Sequence, residues 1–364
     1  MNIVNVMWSG GAQYTSIHTV HRQVLGHAPA DVRVSNWLLL GEQGCGGLGE
    51  THLWNLPQRA LKGRLPERLM VPWLRLRLRA ALRQAQPDVL LLDGLGVARL
   101  MLPLLRQLPG VRAAVLFHGS TRLRGSDVSL LRSVPRERLS IAAVSGTLAR
   151  SLEQDLGLPV RTLRIAMDPA VFCGQLLARN AARQTLGLPA QGEGRVLCAV
   201  GRLVESKGFE MLIEAFARAR EQQPNLHLMI FGDGELRDRL AARIEALGLD
   251  GCVRLCGYRP DLSQLYRAFD GLLLPSRSEG LGLVLQEAVL ADIPVICSDL
   301  AVFREQLGEA DCYLPVADVE AWSQAIARCA SLDTQATAAA QRRSLAPEQS
   351  WQAFLAGVAS LLGR

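Results

Sequence analysis

Short apolar segments alternate with stretches of helical period along this chain, and the alternation lapses once before it starts again. That pattern constrains the fold more than any other feature. Strand-like runs separated by amphipathic helices make parallel sheets covered by helices on both faces. In the first half the runs predict strands over Asn2–Met7, Val32–Leu40, Val89–Asp93, Ala113–Phe117, Ile141–Ser145 and Val160–Ile165. Helices are expected between them, such as Thr15–Leu25 and Trp73–Gln84. Pro72 suits the opening of the latter helix and Pro87 marks its end.

From Cys173 to Gly194 the pattern breaks into a short Ala/Arg-rich helix followed by Gly187, Pro189, Gly192 and Gly194. An inter-domain linker is expected there. The second half then predicts strands over Arg195–Val200, His227–Phe231, Val253–Cys256, Gly271–Leu274, Val295–Cys297 and Cys312–Leu314. Helices are expected over Glu210–Gln222, Leu236–Leu247, Leu262–Ala268, Leu283–Ala291 and Val319–Ala330. The fold class is therefore α/β, with two tandem doubly wound Rossmann-like domains, 1–175 and 195–349. The amphipathic segment Trp351–Leu362, within 350–364, is expected to cross back to the first domain. With 364 residues, each domain is large enough to bury its own core.

Open parallel sheets bind ligands beyond the carboxyl ends of their strands, so two such domains are expected to face a central cleft. The residues that carry chemistry should follow strands. Two segments of the second half do so with unusual composition. Gly201-Arg202-Leu203-Val204-Glu205-Ser206-Lys207-Gly208 places two cations on one strand-to-helix loop. Arginine can fork onto two oxygens and lysine supplies a mobile point charge, which suits a diphosphate. A solvated basic turn is the plain alternative. After Gly271–Leu274, the run Ser276 to Ala288 sets Glu279 ahead of Gly280-Leu281-Gly282 and Glu287 about one turn into the next helix. Glycines allow close backbone approach, and a helix N-terminus offers free N–H groups to a phosphate. The two carboxylates would then face hydroxyls, which they accept well. The alternative is a capping carboxylate and a helix-surface carboxylate.

Taken in order, Gly201-Arg202-Leu203 with Lys207-Gly208, Phe231-Gly232-Asp233-Gly234, Leu255-Cys256-Gly257-Tyr258, Pro275-Ser276 with Glu279 and Glu287, and Pro294-Val295-Ile296 resemble the family 4 retaining glycosyltransferases of the GT-B fold. The resemblance is dense over 195–307 and thinner before it. It implies that Arg202 and Lys207 grip the donor diphosphate, that Glu279 contacts the transferred sugar, and that Glu287 contacts the ribose. Backbone around Gly280, Leu281, Gly282 and Leu283 would touch sugar and phosphate. Tyr258 and Arg259 would line the base pocket. In the first half, Gly10 and Gly11 resemble the family's glycine loop, and His118 its active-site histidine. A strand-to-helix turn and a structural histidine are the alternatives for these positions. The sequence departs from the family at Ile165-Ala166-Met167-Asp168 and at Leu300-Ala301-Val302 after Asp299.

The implied activity is transfer of a hexose-type sugar from a UDP- or GDP-sugar to a glycan or lipid-linked saccharide acceptor, with retention, in cell-envelope polysaccharide or lipopolysaccharide synthesis. No Asp-x-Asp occurs, so a metal-independent enzyme without a cofactor is expected. A non-catalytic nucleotide-sugar-binding or membrane-associated scaffold, or a nucleotide-sugar epimerase of similar two-lobed shape, are the competing readings. The intact set of Arg202, Lys207, Glu279 and Glu287 speaks against a scaffold. No GxGxxG follows the first strand, which speaks against a dehydrogenase.

A formal charge of +6 favours anionic partners. Arg59, Lys62, Arg64, Arg68, Arg75, Arg77, Arg79 and Arg83 stand against Glu67 alone, with Leu, Val, Met and Trp interleaved. Arg75, Arg77 and Arg79 are therefore candidates for contact with an acceptor or an anionic membrane surface. An ordinary amphipathic helix with solvated arginines is the alternative. No nucleic-acid module is recognisable. The apolar runs are too short to span a bilayer, and the N-terminus reads as a first strand rather than a signal peptide. A cytoplasmic protein is expected, peripheral on the inner face of the cytoplasmic membrane. The eight cysteines, Cys45 among them, are scattered without CxxC and are expected to be reduced thiols, with neither disulfide nor metal.

Overall fold

The computed structural model describes residues 1–9, 15–28, 31–40, 48–56, 70–119, 121–189 and 194–363. The chain divides into two compact units, Met1–Ile165 with Gln352–Arg364, and Ala166–Trp351. Among the described residues, no helix is long and apolar enough to cross a membrane.

The first unit is built on a parallel sheet of seven strands: β1 Asn2–Ser9, β2 Arg33–Leu40, β3 Glu50–Leu53, β4 Val89–Asp93, β5 Arg112–Phe117, β6 Leu139–Ala143 and β7 Arg161–Thr162. Their spatial order is β3-β2-β1-β4-β5-β6-β7. The central strands read as near-continuous apolar runs because helices cover both faces. Every residue of β4 is buried, and β5 is buried from Ala113 to Phe117. β3 was not legible in the sequence. All four of its residues are exposed, so no apolar run betrays it. The helix Val71–Ala85 buries Leu74, Leu78 and Leu82, spaced four apart on one face. The C-terminal stretch joins this unit through Arg161, whose guanidinium donates to Ser360 at the carbonyl (3.0 Å) and at Oγ (2.6 Å).

The second unit carries six parallel strands: β8 Val196–Val200, β9 His227–Phe231, β10 Val253–Gly257, β11 Gly271–Leu274, β12 Val295–Ser298 and β13 Tyr313–Leu314. They lie in the order β10-β9-β8-β11-β12-β13. The chain thus runs outward from β8 in one direction and then returns to β8 in the other. That reversal makes the carboxyl end of β8 a switch point, where neighbouring loops part and leave a crevice. β1 with β2 and β4 on either side repeats the arrangement in the first unit.

Two expectations are corrected here. The described part of the segment expected to link the domains, 173–189, belongs to the second unit and packs into its core. Phe172, Leu176, Ala182 and Leu186 pack into its main apolar cluster, and Arg179 pairs with Asp270 at 2.8 Å. The unit begins at Ala166 rather than at 195, and Asp168, which the sequence keeps where it departs from the family at Ile165-Ala166-Met167, has a structural role. Its carboxylate caps the helix Pro169–Gln175, accepting from the N–H groups of Ala170 and Val171. The helix expected over 262–268 is two short 3-10 turns, Leu262–Gln264 and Tyr266–Ala268. That shape buries Tyr266 completely in the core.

Candidate functional site

In the second unit the loop after β8 is held between the loops after β9 and β11. The Leu203 N–H donates to the Asp233 carbonyl (3.0 Å), and the Arg277 N–H donates to the Ser206 carbonyl (2.8 Å). Gly208 makes the second contact possible. Its φ is +72°, and a Cβ there would lie 2.2 Å from the Pro275 carbonyl oxygen. The result is that Lys207 Nζ donates to Glu279 Oε1, and Ser276 Oγ donates to the same carboxylate at 2.9 Å. Arg202, on the same loop as Lys207, is exposed.

Beyond Glu279 the chain turns at Gly282, with φ +80°, and enters the helix Leu283–Leu290. A Cβ at Gly282 would meet Phe303 at 2.7 Å. Gln306 donates to the Leu281 carbonyl at 2.6 Å and accepts from Gln286 at 3.0 Å, so the turn is pinned from beneath. Leu281 is buried by this arrangement and Leu283 is half-buried. Gly280 is half-buried beside Glu279. Glu287 accepts from the Tyr266 hydroxyl at 2.6 Å. Burial raises the carboxyl pKa of Glu287, against the opposing effect of that hydrogen bond. The Tyr266 phenol is pushed well up by burial and by the neighbouring carboxylate. Tyr258 stays 58% exposed, while Arg259 forks onto Asp261 at 2.9 and 2.6 Å. Arg259 is thus committed to its own loop.

Gly10 and Gly11 lie outside the described residues, as do Arg59, Lys62, Arg64, Glu67 and Arg68 of the basic segment. His118 follows β5 and joins a buried polar cluster with His21, Asp93 and Asn5. His118 Nε2 lies 3.1 Å from His21 Nε2 and 3.5 Å from Asp93 Oδ1. Asp93 Oδ2 accepts from the Trp8 N–H at 3.1 Å. Burial raises the Asp93 pKa to about 6 and lowers that of His118 to about 3. His21 is lowered well below the ordinary value by burial, then by His118 and His18. One ligand atom from each of His21, Asp93 and His118 lies within 4.8 Å of the others, a spacing that could hold a cation. Beside β4 and β5, a pocket of about 580 Å³ is lined by Leu95, Gly96, Arg99, Thr121, Arg122 and Arg124. Arg99 is neutralised there by a two-pronged bond to Asp127 at 2.7 and 2.8 Å.

The basic helix divides its arginines. Arg75 donates to the Arg99 carbonyl at 3.2 Å, and Arg79 donates to Gln107. These two are half-buried, and each spends one hydrogen bond on the first unit. Arg77 is exposed and stacks over Trp73 at 4.9 Å and Trp54 at 5.7 Å. Sequence reasoning missed Tyr266, His21 and Asn5, and named Ser276 only as part of the Glu279 motif. Asp93, the last residue of a strand, was findable by the carboxyl-end rule that found the others.

Residues 184–362 match the family model described as glycosyl transferases group 1. The lipopolysaccharide core biosynthesis glycosyltransferase LpsE of Rhizobium meliloti (strain 1021) is 33% identical over 171 residues, covering 46% of this chain and 48% of that protein. The chain spans about half, or less, of the length of the first curated relatives it matches. A glycosyltransferase structure from Rickettsia africae ESF-5 aligns with a TM-score of 0.79 at 14% identity, over 100% of this chain and 99% of that one. The Anabaena Alr3699/HepE structure in complex with UDP and glucose aligns at 0.74 and 18% identity, over 99% and 97%. At such identities the likeness establishes the fold, which is that of GT-B glycosyltransferases with two Rossmann-like domains.

Proposed function

We propose that this chain, whose second half carries the group 1 glycosyl transferase pattern, moves a hexose-type sugar from a UDP- or GDP-sugar to a glycan or lipid-linked saccharide, with retention and without a metal. The observation that carries the reading is the meeting of Lys207 and Glu279 on two loops at the β8 switch point, with Arg202 on the same strand-to-helix turn. A departing nucleoside diphosphate needs fixed positive charge, and preorganised cations are worth several kcal/mol there. Lys207, Arg202 and the N-terminus of Leu283–Leu290 supply it. Glu279 holds sugar hydroxyls and is not a nucleophile. Glu287, fixed by Tyr266, receives the ribose. His118 meets a substrate hydroxyl. The acceptor attacks from the face the diphosphate leaves, its hydroxyl proton passing to the leaving phosphate.

In this reading the second unit binds the donor nucleotide and the first the acceptor, with His118 of the first meeting a hydroxyl of the transferred sugar. The role printed for the Rhizobium relative supports a setting in cell-envelope glycan or lipopolysaccharide synthesis. The protein would then work in the cytoplasm, peripheral on the inner leaflet, through Trp73, Arg77 and Arg83.

A panel of UDP-, GDP- and ADP-sugars tests the reading by thermal shift and by donor hydrolysis. One matched donor should raise the melting temperature strongly. Turnover should survive EDTA and fall in Lys207→Ala. Failure of every donor to bind, or turnover abolished by EDTA and restored by a divalent cation, would overturn it.

A further inference from the structure

A line of buried polar side chains crosses the first unit and ends at His118. Each link has only one direction of donation that fits its neighbours. The Asn36 amide nitrogen lies 2.5 Å from the Leu48 carbonyl, which can only accept. Asn36 Oδ1 therefore faces Asn5, whose amide nitrogen donates to it at 2.9 Å. That leaves Asn5 Oδ1 facing His21 Nδ1 at 2.7 Å, so the proton of His21 sits on Nδ1. The Nε2 atoms of His21 and His118 face each other at 3.1 Å, so only one of them can carry the proton between them, and His21, already protonated on Nδ1, is left with a bare Nε2 in its neutral form. The atom 3.1 Å away is His118 Nε2, which must then donate. Asp93 Oδ1, 3.5 Å from the same nitrogen, makes the same demand. Two acceptors thus converge on one nitrogen, and a neutral His118 keeps its proton there. Its Nδ1 is left as a lone pair, buried and without a hydrogen-bond partner among the described residues. An unmet buried acceptor is costly, and a donor that reaches it recovers the loss.

We infer that Asn36, Asn5 and His21 are positioning residues that fix the tautomer of His118, so that Nδ1 accepts a hydrogen bond from a substrate hydroxyl. The second clause rests on the proposed sugar transfer, whereas the tautomer follows from the relay alone. The site would select an alcohol donor at this point and reject a carbonyl or an ether oxygen, which cannot donate.

The two rings should carry opposite tautomers, and that is directly visible. With only six histidines in the chain, long-range proton–nitrogen correlation on ¹⁵N-histidine-labelled protein is tractable, assigned with His21→Gln and His118→Gln. The expected spectrum has His21 protonated at Nδ1 and His118 at Nε2. A proton on His118 Nδ1 overturns the relay. Zinc bound through the Nε2 atoms would produce that result, so protein freed of metal with EDTA is compared with protein as purified. In the double variant His21→Leu with Asp93→Asn the imidazole acceptor is gone and the Trp8 N–H holds the new amide by its oxygen, so an amide N–H faces His118 Nε2 and the His118 proton should move to Nδ1. An unchanged tautomer there overturns the relay too. UDP-glucose, the probe donor, should then move the His118 Nδ1 resonance while UDP alone leaves it in place. Binding of UDP-glucose without that movement overturns the acceptor role. Failure of any donor to bind would count against the proposed function, and the relay would still be decided by the first spectrum.

Discussion

Lys207 directs its ammonium onto the carboxylate of Glu279, 72 residues away in sequence, with only 19% and 13% of the two side chains exposed. A pair this enclosed is stabilising only while both partners remain. Removing one strands a charge that water reaches poorly, at a cost of about 1–3 kcal/mol. Lys207→Met should therefore lower the urea midpoint, and Glu279→Gln combined with it should restore most of the loss. Under the proposed function the lysine has a second task. Lys207→Met should reduce kcat about 10²–10³-fold, the scale for losing one preorganised donor to developing charge. Glu279→Gln should keep substantial turnover. Accumulation of a covalent glycosyl-enzyme in that variant would show the carboxylate to be a nucleophile instead.

The approach of those two loops depends on Gly208. Its φ is positive and an added Cβ would fall 2.2 Å from the Pro275 carbonyl oxygen, which leaves no room for a methyl group. Gly208→Ala should cost about 1–3 kcal/mol in urea unfolding. The backbone bond from Arg277 to Ser206 should loosen with it, so donor affinity falls although no side chain of the site has changed. An alanine variant with unchanged stability and unchanged donor binding would mean that the loop contact is dispensable.

The buried cluster of the first unit predicts opposed pH dependences. Asp93 has a folded pKa of about 6 against 3.8 for the free group, so the native state holds its proton more tightly. Its contribution to stability is largest below about pH 4 and is lost as pH rises through 6. His118, lowered from 6.5 to about 3, acts the other way: its contribution is present above pH 6.5 and is lost as pH falls toward 3. His21, lowered as well, adds to the histidine side. Asp93→Asn should therefore gain stability relative to the native protein between pH 4 and 7, by about 2–3 kcal/mol for a shift of roughly two pKa units. His118→Gln should lose relative stability over the same range. Urea midpoints at fixed ionic strength decide both, and a flat difference for Asp93→Asn would mean that its carboxyl titrates normally.

How much of this was legible in the sequence follows from which residues carry a local signal. Buried parallel strands announce themselves, as in Val89–Asp93, His227–Phe231 and Gly271–Leu274, whose expected limits match the structure. β3 does not, because an exposed edge strand needs no apolar residues. The segment 173–194 reads as a linker in the sequence because glycine and proline mark turns equally well inside a domain. Arg202, Lys207 and Glu279 stand out in the sequence because they follow strands and sit beside glycines, and Glu287 because it lies a turn into the helix that the glycines open. Tyr266 and His21 do not. Each acts through a partner distant in sequence, Glu287 or His118, and nothing in the local pattern separates such a residue from a core position. The division of the arginines in the basic helix was hidden for the same reason, since helical period shows which face is buried and not what lies against its flanks.

That division changes what a membrane test should alter. Arg75 and Arg79 donate to Arg99 and Gln107 inside the first unit, and burial lowers the Arg75 pKa. Reversing them would break those contacts as well as change the surface charge, so the exposed Arg77 and Arg83 make the cleaner test. The outward face instead exposes Met70 at 42%, Trp73 at 53% and Leu76 at 53%, with Arg77 stacked on Trp73 and Arg83 exposed one turn and a half further on. A tryptophan beside a guanidinium is suited to the headgroup region, where the ring sits at the interface and the cation meets anionic lipid. Each cation near such a surface is worth about 1 kcal/mol, so Arg77→Glu with Arg83→Glu should weaken binding to anionic vesicles more than tenfold. Trp73→Ser should weaken it further at any salt concentration, whereas the arginine contribution should fade as salt rises. Sedimentation with phosphatidylglycerol vesicles, compared with neutral vesicles, reads all three. Association that is indifferent to Trp73, Arg77 and Arg83 would remove this helix from any membrane role and leave its apolar face to another partner.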